Sequence, residues 1–224
     1  MRKNNAQQTG APERRSNICE VRAEHDEERG AIITGHPIVF NQETEIETWA
    51  GKIREVIDPE AIDGETDMRD VRFLVGHDTT RIPLARSRNN NENSTMQLTP
   101  DEIGLAMRAS IDTENNGTAK ELYSAAGRGD ISGMSFMFRV DKDSWDGLDT
   151  DRPLRHIRHI SKIYEVSAVV FPAYEGTDLE AADESQRLES LVASLESARK
   201  RQKEERAQEQ NEERRQKALQ TLRR

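Results

Sequence analysis

The pattern of apolar and polar positions divides the chain into three parts. Short runs of β-branched and other apolar residues are concentrated between about residues 18 and 171, and the stretches on either side are mostly polar or charged. This division predicts a disordered leader over residues 1–17, a folded domain over residues 18–178 and a charged helical tail over residues 179–224. A domain of ~160 residues can bury roughly 70% of the surface that its unfolded chain exposes.

Most of the apolar runs inside the domain are typical of β-strands, because they are short, rich in β-branched residues and separated by Gly or Pro. They lie at residues 31–40, 51–57, 70–75, 95–107, 131–140, 154–160 and 162–171, with a polar turn region at residues 141–153. Residues 113–126 differ, because their apolar side chains recur at a spacing of three and four, and Gly127 and Gly129 follow. The pattern predicts a mainly β domain with one or two packed helices.

The predicted tail carries one short apolar stripe at helical spacing, formed by Leu188, Leu191, Val192 and Leu195. Beyond Ala198 the sequence is almost wholly charged or Gln. The heptad pattern fails after Leu195, so a sustained coiled coil is not expected. We expect the tail to pack little on its own domain and to be ordered by a partner.

Composition and charge argue against a nucleic-acid-binding, a membrane-spanning and a secreted protein. The formal net charge is −9, which argues mildly against a nucleic-acid-binding surface, since such a surface needs clustered Lys and Arg. No segment approaches the ~18 consecutive apolar residues of a membrane span, and the N-terminus lacks the apolar run of a signal peptide. Cys19 is the one cysteine, so no internal disulfide can form. We expect a protein of the cytosol that binds neither membrane nor specific nucleic acid.

His77 is the first candidate for chemistry. It follows the apolar run Phe73-Leu74-Val75 directly after Gly76, and Asp78 comes next. A side chain at a strand end can leave the core, and imidazole is the usual general base near neutral pH. The alternatives at this position are a histidine in a surface turn and a core histidine that is held by a hydrogen bond.

Ser135 is the second candidate. It lies between Met134 and Phe136 in a predicted strand, so its hydroxyl lies on the face opposite to two large apolar side chains. Such rigid support suits a nucleophile that has a base within reach. The segment is not the Gly-x-Ser-x-Gly elbow of α/β-hydrolases. An ordinary strand serine and a nucleophilic Ser132, three residues earlier, remain as alternatives.

Glu165 is the third candidate, because it is a carboxylate inside the apolar run of residues 162–171. Burial of a charge is costly unless the charge is paired. Glu165 could orient the imidazole as the third member of a triad does, or it could pair with Arg155 or Arg158. His156 and His159 invite a metal interpretation, but residues three apart in a strand face opposite sides and cannot chelate one ion.

These three segments, in this order, resemble the prohead proteases of tailed bacteriophages, the family of HK97-type capsid maturation proteases. The matching motifs are Gly76-His77-Asp78, Ser132-Gly133-Met134-Ser135-Phe136-Met137-Phe138, Tyr164-Glu165-Val166-Ser167 and Phe171-Pro172-Ala173. The segment Gly35-His36-Pro37-Ile38-Val39-Phe40 is similar to the first strands of the family, and the resemblance spans about residues 18–182. Two positions depart from it: Met137 stands where the family commonly has Gly, and Ile82-Pro83 replaces an Ile-Gly pair.

The resemblance implies a closed, mostly antiparallel β-barrel with flanking helices, as in the herpesvirus assemblins. It also implies a serine endopeptidase with Ser135 as nucleophile, His77 as base and Glu165 as the third residue, without cofactor or metal. In herpesvirus relatives a second His is the third residue, so His156 or His159 remains an alternative to Glu165.

The implied place of action is the phage prohead in the host cytoplasm. There the enzyme would cut scaffold, or the scaffolding segment of the major capsid protein, and then itself. The implied partners are therefore the major capsid protein and the scaffold, and self-association is also expected. A catalytically silent assembly protein that retains the fold is the alternative function.

Overall fold

The computed structural model describes residues 11–170 and 181–221. Eleven strands and two α-helices follow one another in this part of the chain. The strands are β1 Glu13–Ile18, β2 Arg22–Asp26, β3 Gly30–Val39, β4 Thr44–Thr48, β5 Gly51–Ile57, β6 Val71–Val75, β7 Ala85–Ser87, β8 Met96–Pro100, β9 Gly104–Ser110, β10 Gly133–Asp146 and β11 Leu154–Val169. A 3-10 turn at Pro59–Ala61 precedes β6, and the helices are α1 Gly117–Arg128 and α2 Ala181–Thr221. The prediction of a mainly β fold with helices is confirmed.

The strands form two sheets. The larger has seven strands in the order β1-β10-β11-β5-β4, with β6 paired to β11 and β7 paired to β6, and the smaller has the order β2-β3-β9-β8. The described strands do not join into one ring, so the closed barrel implied by the resemblance is not supported. The two sheets approach each other at β7, which has only three residues. One hydrogen bond at this point runs from the backbone amide of Thr95, just before β8, to the carbonyl oxygen of Arg86 in β7, at 3.0 Å. The link at β7 is too short to form a ladder of paired residues.

A long antiparallel hairpin of β10 and β11 is the centre of the larger sheet. The sequence pattern predicts two separate strands at residues 154–160 and 162–171, but in the structure one continuous strand, β11, spans this part of the chain. The pattern also predicts a turn region at residues 141–153, but β10 continues to Asp146. Register shifts between Met137 and Asp143 account for both differences. A bulge adds an extra residue to one strand of a pair. The alternation of apolar and polar side chains is therefore interrupted, although the two strands remain paired.

The two faces of β10 have different surroundings. Met134, Phe136 and Phe138 are buried in the main hydrophobic core together with Val166 and Ala168 of β11. At Gly35 of β3, an added Cβ would lie 2.8 Å from the Met134 sulfur, which shows how closely the smaller sheet approaches. The core therefore fixes which face of β10 meets the smaller sheet, and Ser135 lies on the opposite face, where it is also fully buried.

The leader prediction needs correction at residues 13–17, because these residues form most of β1, which is paired along β10. Two of its side chains, Glu13 and Arg15, belong to a charge cluster that also contains Glu55, Asp143 and Arg155. Arg155 contacts the carboxylates of Glu13 at 2.7 Å, Glu55 at 3.0 Å and Asp143 at 2.8 Å. Arg15 contacts Glu55 at 2.6 Å and Glu13 at 2.9 Å. Because these partners are remote in sequence, the polar residues of β1 have the pattern of a solvated leader when the sequence is considered alone.

Opposite charges within the cluster outweigh the cost of burial. Burial raises the pKa of the Glu13 carboxyl, but the guanidinium groups of Arg155 and Arg15 lower that pKa further, and the net shift is downward. Burial lowers the pKa of Arg155, but Glu13 and Glu55 raise it to a greater extent. Both side chains are therefore charged, and each depends on the other for its place in the interior.

The beginning of α2 packs against the larger sheet, which corrects the expectation that the tail packs little. Leu191 and Leu195 are buried and form a second apolar cluster with Ile53 of β5. The Ser194 hydroxyl donates to Asp143 at 2.9 Å and so joins the helix to the charge cluster. Residues 207–217 are exposed, as expected for a charged tail. Neither α1 nor α2 is long and apolar enough to cross a membrane within the described residues.

Replacement of Arg155 by Met should lower the free energy of unfolding by about 3–5 kcal/mol, because the substitution leaves buried carboxylates without their partner. Urea unfolding monitored by circular dichroism measures this loss. Arg54→Met on the neighbouring strand β5 is the control, since Arg54 and its partner Glu43 are 36% and 50% exposed, and it should cost less than ~1 kcal/mol. Equal losses in the two variants would contradict a stabilising role for the cluster.

Replacement of Leu191 or Leu195 by Ala should cost about 2–5 kcal/mol, the usual range for a buried leucine. Leu219→Ala, at an exposed position of the same helix, should leave the unfolding midpoint unchanged. Thermal and urea unfolding of the three variants compare these positions directly. The same midpoint in all three would mean that α2 does not pack on the sheet in solution.

Candidate active site

A left-handed turn at the end of β6 positions His77. β6 runs parallel to β11, with Leu74 opposite Ser167, and the Gly76 amide continues the pairing by donating to Ala168 O at 3.0 Å. Gly76 and His77 both have φ 59°. This conformation is uncommon for residues other than Gly and costs of order 1–3 kcal/mol, and such residues cluster at functional sites. The turn directs the imidazole back over the sheet.

His77 and Glu165 form a buried pair. The distance from His77 Nδ1 to Glu165 Oε1 is 2.5 Å, and the two side chains are only 7% and 5% exposed. An ionised carboxylate accepts hydrogen bonds only, so Nδ1 carries the proton and donates it, which leaves Nε2 as the basic nitrogen. The alternative partners of Glu165 are engaged elsewhere, since Arg155 lies in the charge cluster and Arg158 pairs with Asp58.

Asp78 does not compete for the imidazole. Its carboxylate accepts hydrogen bonds from the hydroxyl of Thr80, at 2.5 Å, and from the Thr80 amide, at 3.0 Å. These bonds, followed by the charge of Arg81, lower the pKa of the Asp78 carboxyl. Asp78 therefore stabilises the loop after the turn rather than the His77 ring.

Ser135 lies on the same face of the sheet as the His77–Glu165 pair. It is directly opposite Ser167 in the β10–β11 register, and Met137 is opposite Glu165. Opposite residues of an antiparallel pair share a face, with Cβ atoms about 4.5–5.5 Å apart. The Ser135 side chain is fully buried, and its hydroxyl donates to the Arg15 carbonyl of β1 at 2.8 Å. The hydroxyl is thus turned toward β1, on the side away from β6 and His77.

Ser167 belongs to this site and was missed in the sequence analysis. Its hydroxyl donates to Glu165 Oε2 at 2.6 Å and accepts the backbone N–H of His77 at 3.2 Å. The available signal was the period of two, since Glu165 and Ser167 share a face of an otherwise apolar strand. The sequence interpretation used Ser167 only as part of the family motif.

The other candidates lie apart from this pair. Ser132 is exposed and precedes β10. His156 Nδ1 lies 3.1 Å from Asp58, and His159 lies 2.5 Å from Asp141 and 3.2 Å from Asp63. Within residues 11–170 and 181–221, no three His, Cys, Asp or Glu side chains are grouped as a metal site would need.

Cys19 is a weak candidate nucleophile on electrostatic grounds. Burial raises the pKa of its thiol, although two backbone hydrogen bonds partly oppose the shift. The thiolate is the reactive form of cysteine, so burial of this kind makes Cys19 less reactive.

A cavity of about 590 Å³ lies beside the His77 turn. Its walls include Val75 and Leu84, and Ile82, which is 85% exposed, lies at its rim. The first turn of α1 closes the opposite side at Gly117. The lining also includes polar and charged side chains, namely Asp78, Thr80, Arg81, Asn115, Asn116 and Thr118.

Comparison with known proteins decides the family. The model of the caudovirus prohead serine proteases matches residues 18–190. The chain belongs to this family. The Prohead protease of Enterobacteria phage HK97 is 28% identical over 123 residues, which are 55% of this chain and 49% of that protein. The matched region therefore covers about half the length of this curated relative. No solved structure matches the chain.

The prediction of a prohead protease family member is confirmed, and the family description names a serine protease. The family match extends from the last residue of β1 into the beginning of α2, so it includes the turn at His77 and both strands of the central hairpin. The Phe171-Pro172-Ala173 part of the predicted motif lies outside the described residues.

If Ser135 and His77 act as nucleophile and base, as the resemblance implies, replacement of Glu165 by Gln should slow the reaction of Ser135 with a fluorophosphonate by about 10²–10⁴-fold, because an amide cannot stabilise the imidazolium that forms during attack. In trypsin, the corresponding change from carboxylate to amide costs ~10⁴-fold in kcat. Intact-mass spectrometry over time measures the rate. Glu121→Gln on the exposed side of α1 is the control and should react like the wild type. A wild-type rate in Glu165→Gln would exclude Glu165 as the residue that orients His77.

Proposed function

We propose that this chain is the serine endopeptidase of phage capsid maturation, with Ser135 as nucleophile, His77 as general base and Glu165 as the residue that orients the base. The observation that carries the proposal is the 2.5 Å contact between His77 and Glu165 on the face of the sheet that bears Ser135. The family description supports the class of reaction.

The chemistry follows the acyl-enzyme route. Nε2 of His77 takes the Ser135 hydroxyl proton while Oγ bonds to the scissile carbonyl carbon, and the positive imidazolium is stabilised by Glu165. The imidazolium then returns the proton to the leaving nitrogen as the C–N bond breaks. Water then attacks the acyl carbon while Nε2 takes one of its protons. The imidazolium returns this proton to Ser135 Oγ as the acyl C–O bond breaks, which releases the carboxylic acid and free Ser135.

The reaction requires a change at Ser135. Its hydroxyl must leave the Arg15 carbonyl and turn toward His77, across the position of Ser167. Rotation about χ1 moves a serine oxygen between staggered positions without displacing the backbone. Catalytic hydrogen bonds often form only when substrate is bound, so the resting contact with β1 is compatible with activity.

The proposed substrates are the scaffold, or the scaffolding segment of the major capsid protein, and the protease itself. The name of the HK97 relative, Prohead protease, supports the prohead as the place of action. In this proposal the enzyme acts inside the prohead in the host cytoplasm and associates with capsid proteins and with further copies of itself. The cavity beside Ile82 would receive a side chain of the substrate.

A catalytically silent assembly protein is the second candidate. One observation favours it: Ser135 is fully buried, and its hydroxyl is bonded to β1 instead of His77. This candidate predicts that Ser135 stays unreactive in the folded protein under all conditions, whereas the peptidase predicts a selective reaction at this residue.

Replacement of Ser135 by Ala should abolish fluorophosphonate labelling and self-processing, because the nucleophile is lost while the strand loses only one hydroxyl. Intact mass after incubation with the probe measures both. Ser132→Ala is the matched control on the same segment and should behave as the wild type. Labelling of Ser135→Ala but not of Ser132→Ala would move the nucleophile to Ser132, and an unlabelled wild type that does not process itself would favour the assembly protein.

A further inference from the structure

The hydroxyl of Ser167 connects both members of the His77–Glu165 pair. It donates its proton to Glu165 Oε2 at 2.6 Å, and its oxygen accepts the N–H of His77 at 3.2 Å. The side chain is fully buried, so water does not substitute for either bond. One hydroxyl therefore contacts the carboxylate and the backbone of the base at the same time.

The contact with Glu165 fixes the plane of the carboxylate. The terminal torsion of a glutamate is broad and roughly two-fold, so the carboxylate could rotate if only one oxygen were held. Nδ1 of His77 binds Oε1, and Ser167 binds Oε2. With both oxygens held, Oε1 stays directed at the imidazole.

The contact with His77 acts on the backbone. His77 has φ 59°, a conformation that costs energy and needs support from its surroundings. The bond from the His77 amide to Ser167 provides this support and also satisfies a donor that would otherwise lose its partner. Ser167 on β11 therefore holds both the backbone of His77 and the plane of the Glu165 carboxylate.

We infer that Ser167 is a positioning residue of the catalytic site, which holds Glu165 and the turn at His77 in the arrangement that orients Nε2. The inference rests on the proposed function of the His77–Glu165 pair. Ser167 itself does not contact the reacting atoms in this assignment. Ser135, the proposed nucleophile, lies directly opposite Ser167 across the β10–β11 pair, so Ser167 adjoins the same site.

The first test is the reaction of Ser167→Ala with a fluorophosphonate, with the maximal rate of inactivation and the half-saturating probe concentration measured separately. We expect the maximal rate to fall by about 10–100-fold, since small displacements of catalytic groups have effects of this size. The half-saturating concentration should stay within about twofold, because Ser167 is assigned to orient Glu165 and His77 and not to bind the probe. Ser167→Thr keeps the hydroxyl and should recover most of the rate.

Ser87→Ala is the matched control, since Ser87 is also a fully buried strand serine with a hydrogen-bonded hydroxyl. Any loss of stability is measured by urea unfolding, and rates are compared per folded molecule. If Ser167→Ala does not fold, Ser167→Cys replaces it, because a thiol fills the space but donates weakly.

The second test does not depend on activity. The protein has five histidines, and in ¹⁵N-histidine-labelled protein the Nδ1 proton of His77 should give a downfield resonance that disappears in Glu165→Gln. In Ser167→Ala this resonance should shift or broaden, while Ser87→Ala should leave it in place.

The outcomes separate the two proposals. If the wild type is not labelled at Ser135 but the His77 resonance responds to Ser167→Ala, the peptidase assignment fails and the positioning contact stands. If the wild type reacts but Ser167→Ala matches it in rate and in the His77 resonance, Ser167 is not a positioning residue.

Discussion

The register of β10 against β11 is the constraint on which the candidate site depends. This pairing sets Ser135 opposite Ser167 and Met137 opposite Glu165, and it leaves Phe136 opposite Val166 in the core. A slip of one residue would exchange the two faces, so that the apolar side chains would leave the core and the serine would enter it. The hydrophobic effect therefore fixes the site indirectly, because burial of the phenylalanines on one face determines the position of the hydroxyl on the other.

The central hairpin carries two polar groupings with different tasks. Near its open end, the His77–Glu165 pair and Ser167 lie on the face opposite to the phenylalanines, where their side chains are buried. Toward its connecting loop, Arg155 and Asp143 belong to the charge cluster that binds β1 and contacts α2. Both groupings bury charge, which is tolerated because every charged partner is matched by an opposite charge or by hydrogen bonds. The cluster stabilises the hairpin at a distance from the face that we assign to chemistry.

Sequence reasoning recovered the parts of the fold that depend on local pattern. The β-rich domain and a helix near residues 113–126 followed from periodicity, and the structure has α1 at Gly117–Arg128. His77 and Glu165 were selected as a base and a carboxylate, and the structure brings them into contact. The closed barrel and the detached tail depended on how sheet edges and helix faces meet, which periodicity does not encode. β1 was missed because Glu13 and Arg15 look solvated until Glu55 and Arg155, remote in sequence, are placed beside them.

The burial of Ser135 has a consequence for how reactivity is measured. If attack requires a conformation in which the hydroxyl is exposed and turned from β1, the observed rate is the intrinsic rate multiplied by the fraction of molecules in that conformation. A small electrophile then acts as a reporter of the conformational equilibrium as well as of the catalytic groups. Any capsid or scaffold contact that loosens the Arg15 carbonyl from Ser135 would raise that fraction, and the gain in rate would measure the free energy by which the contact favours the open conformation.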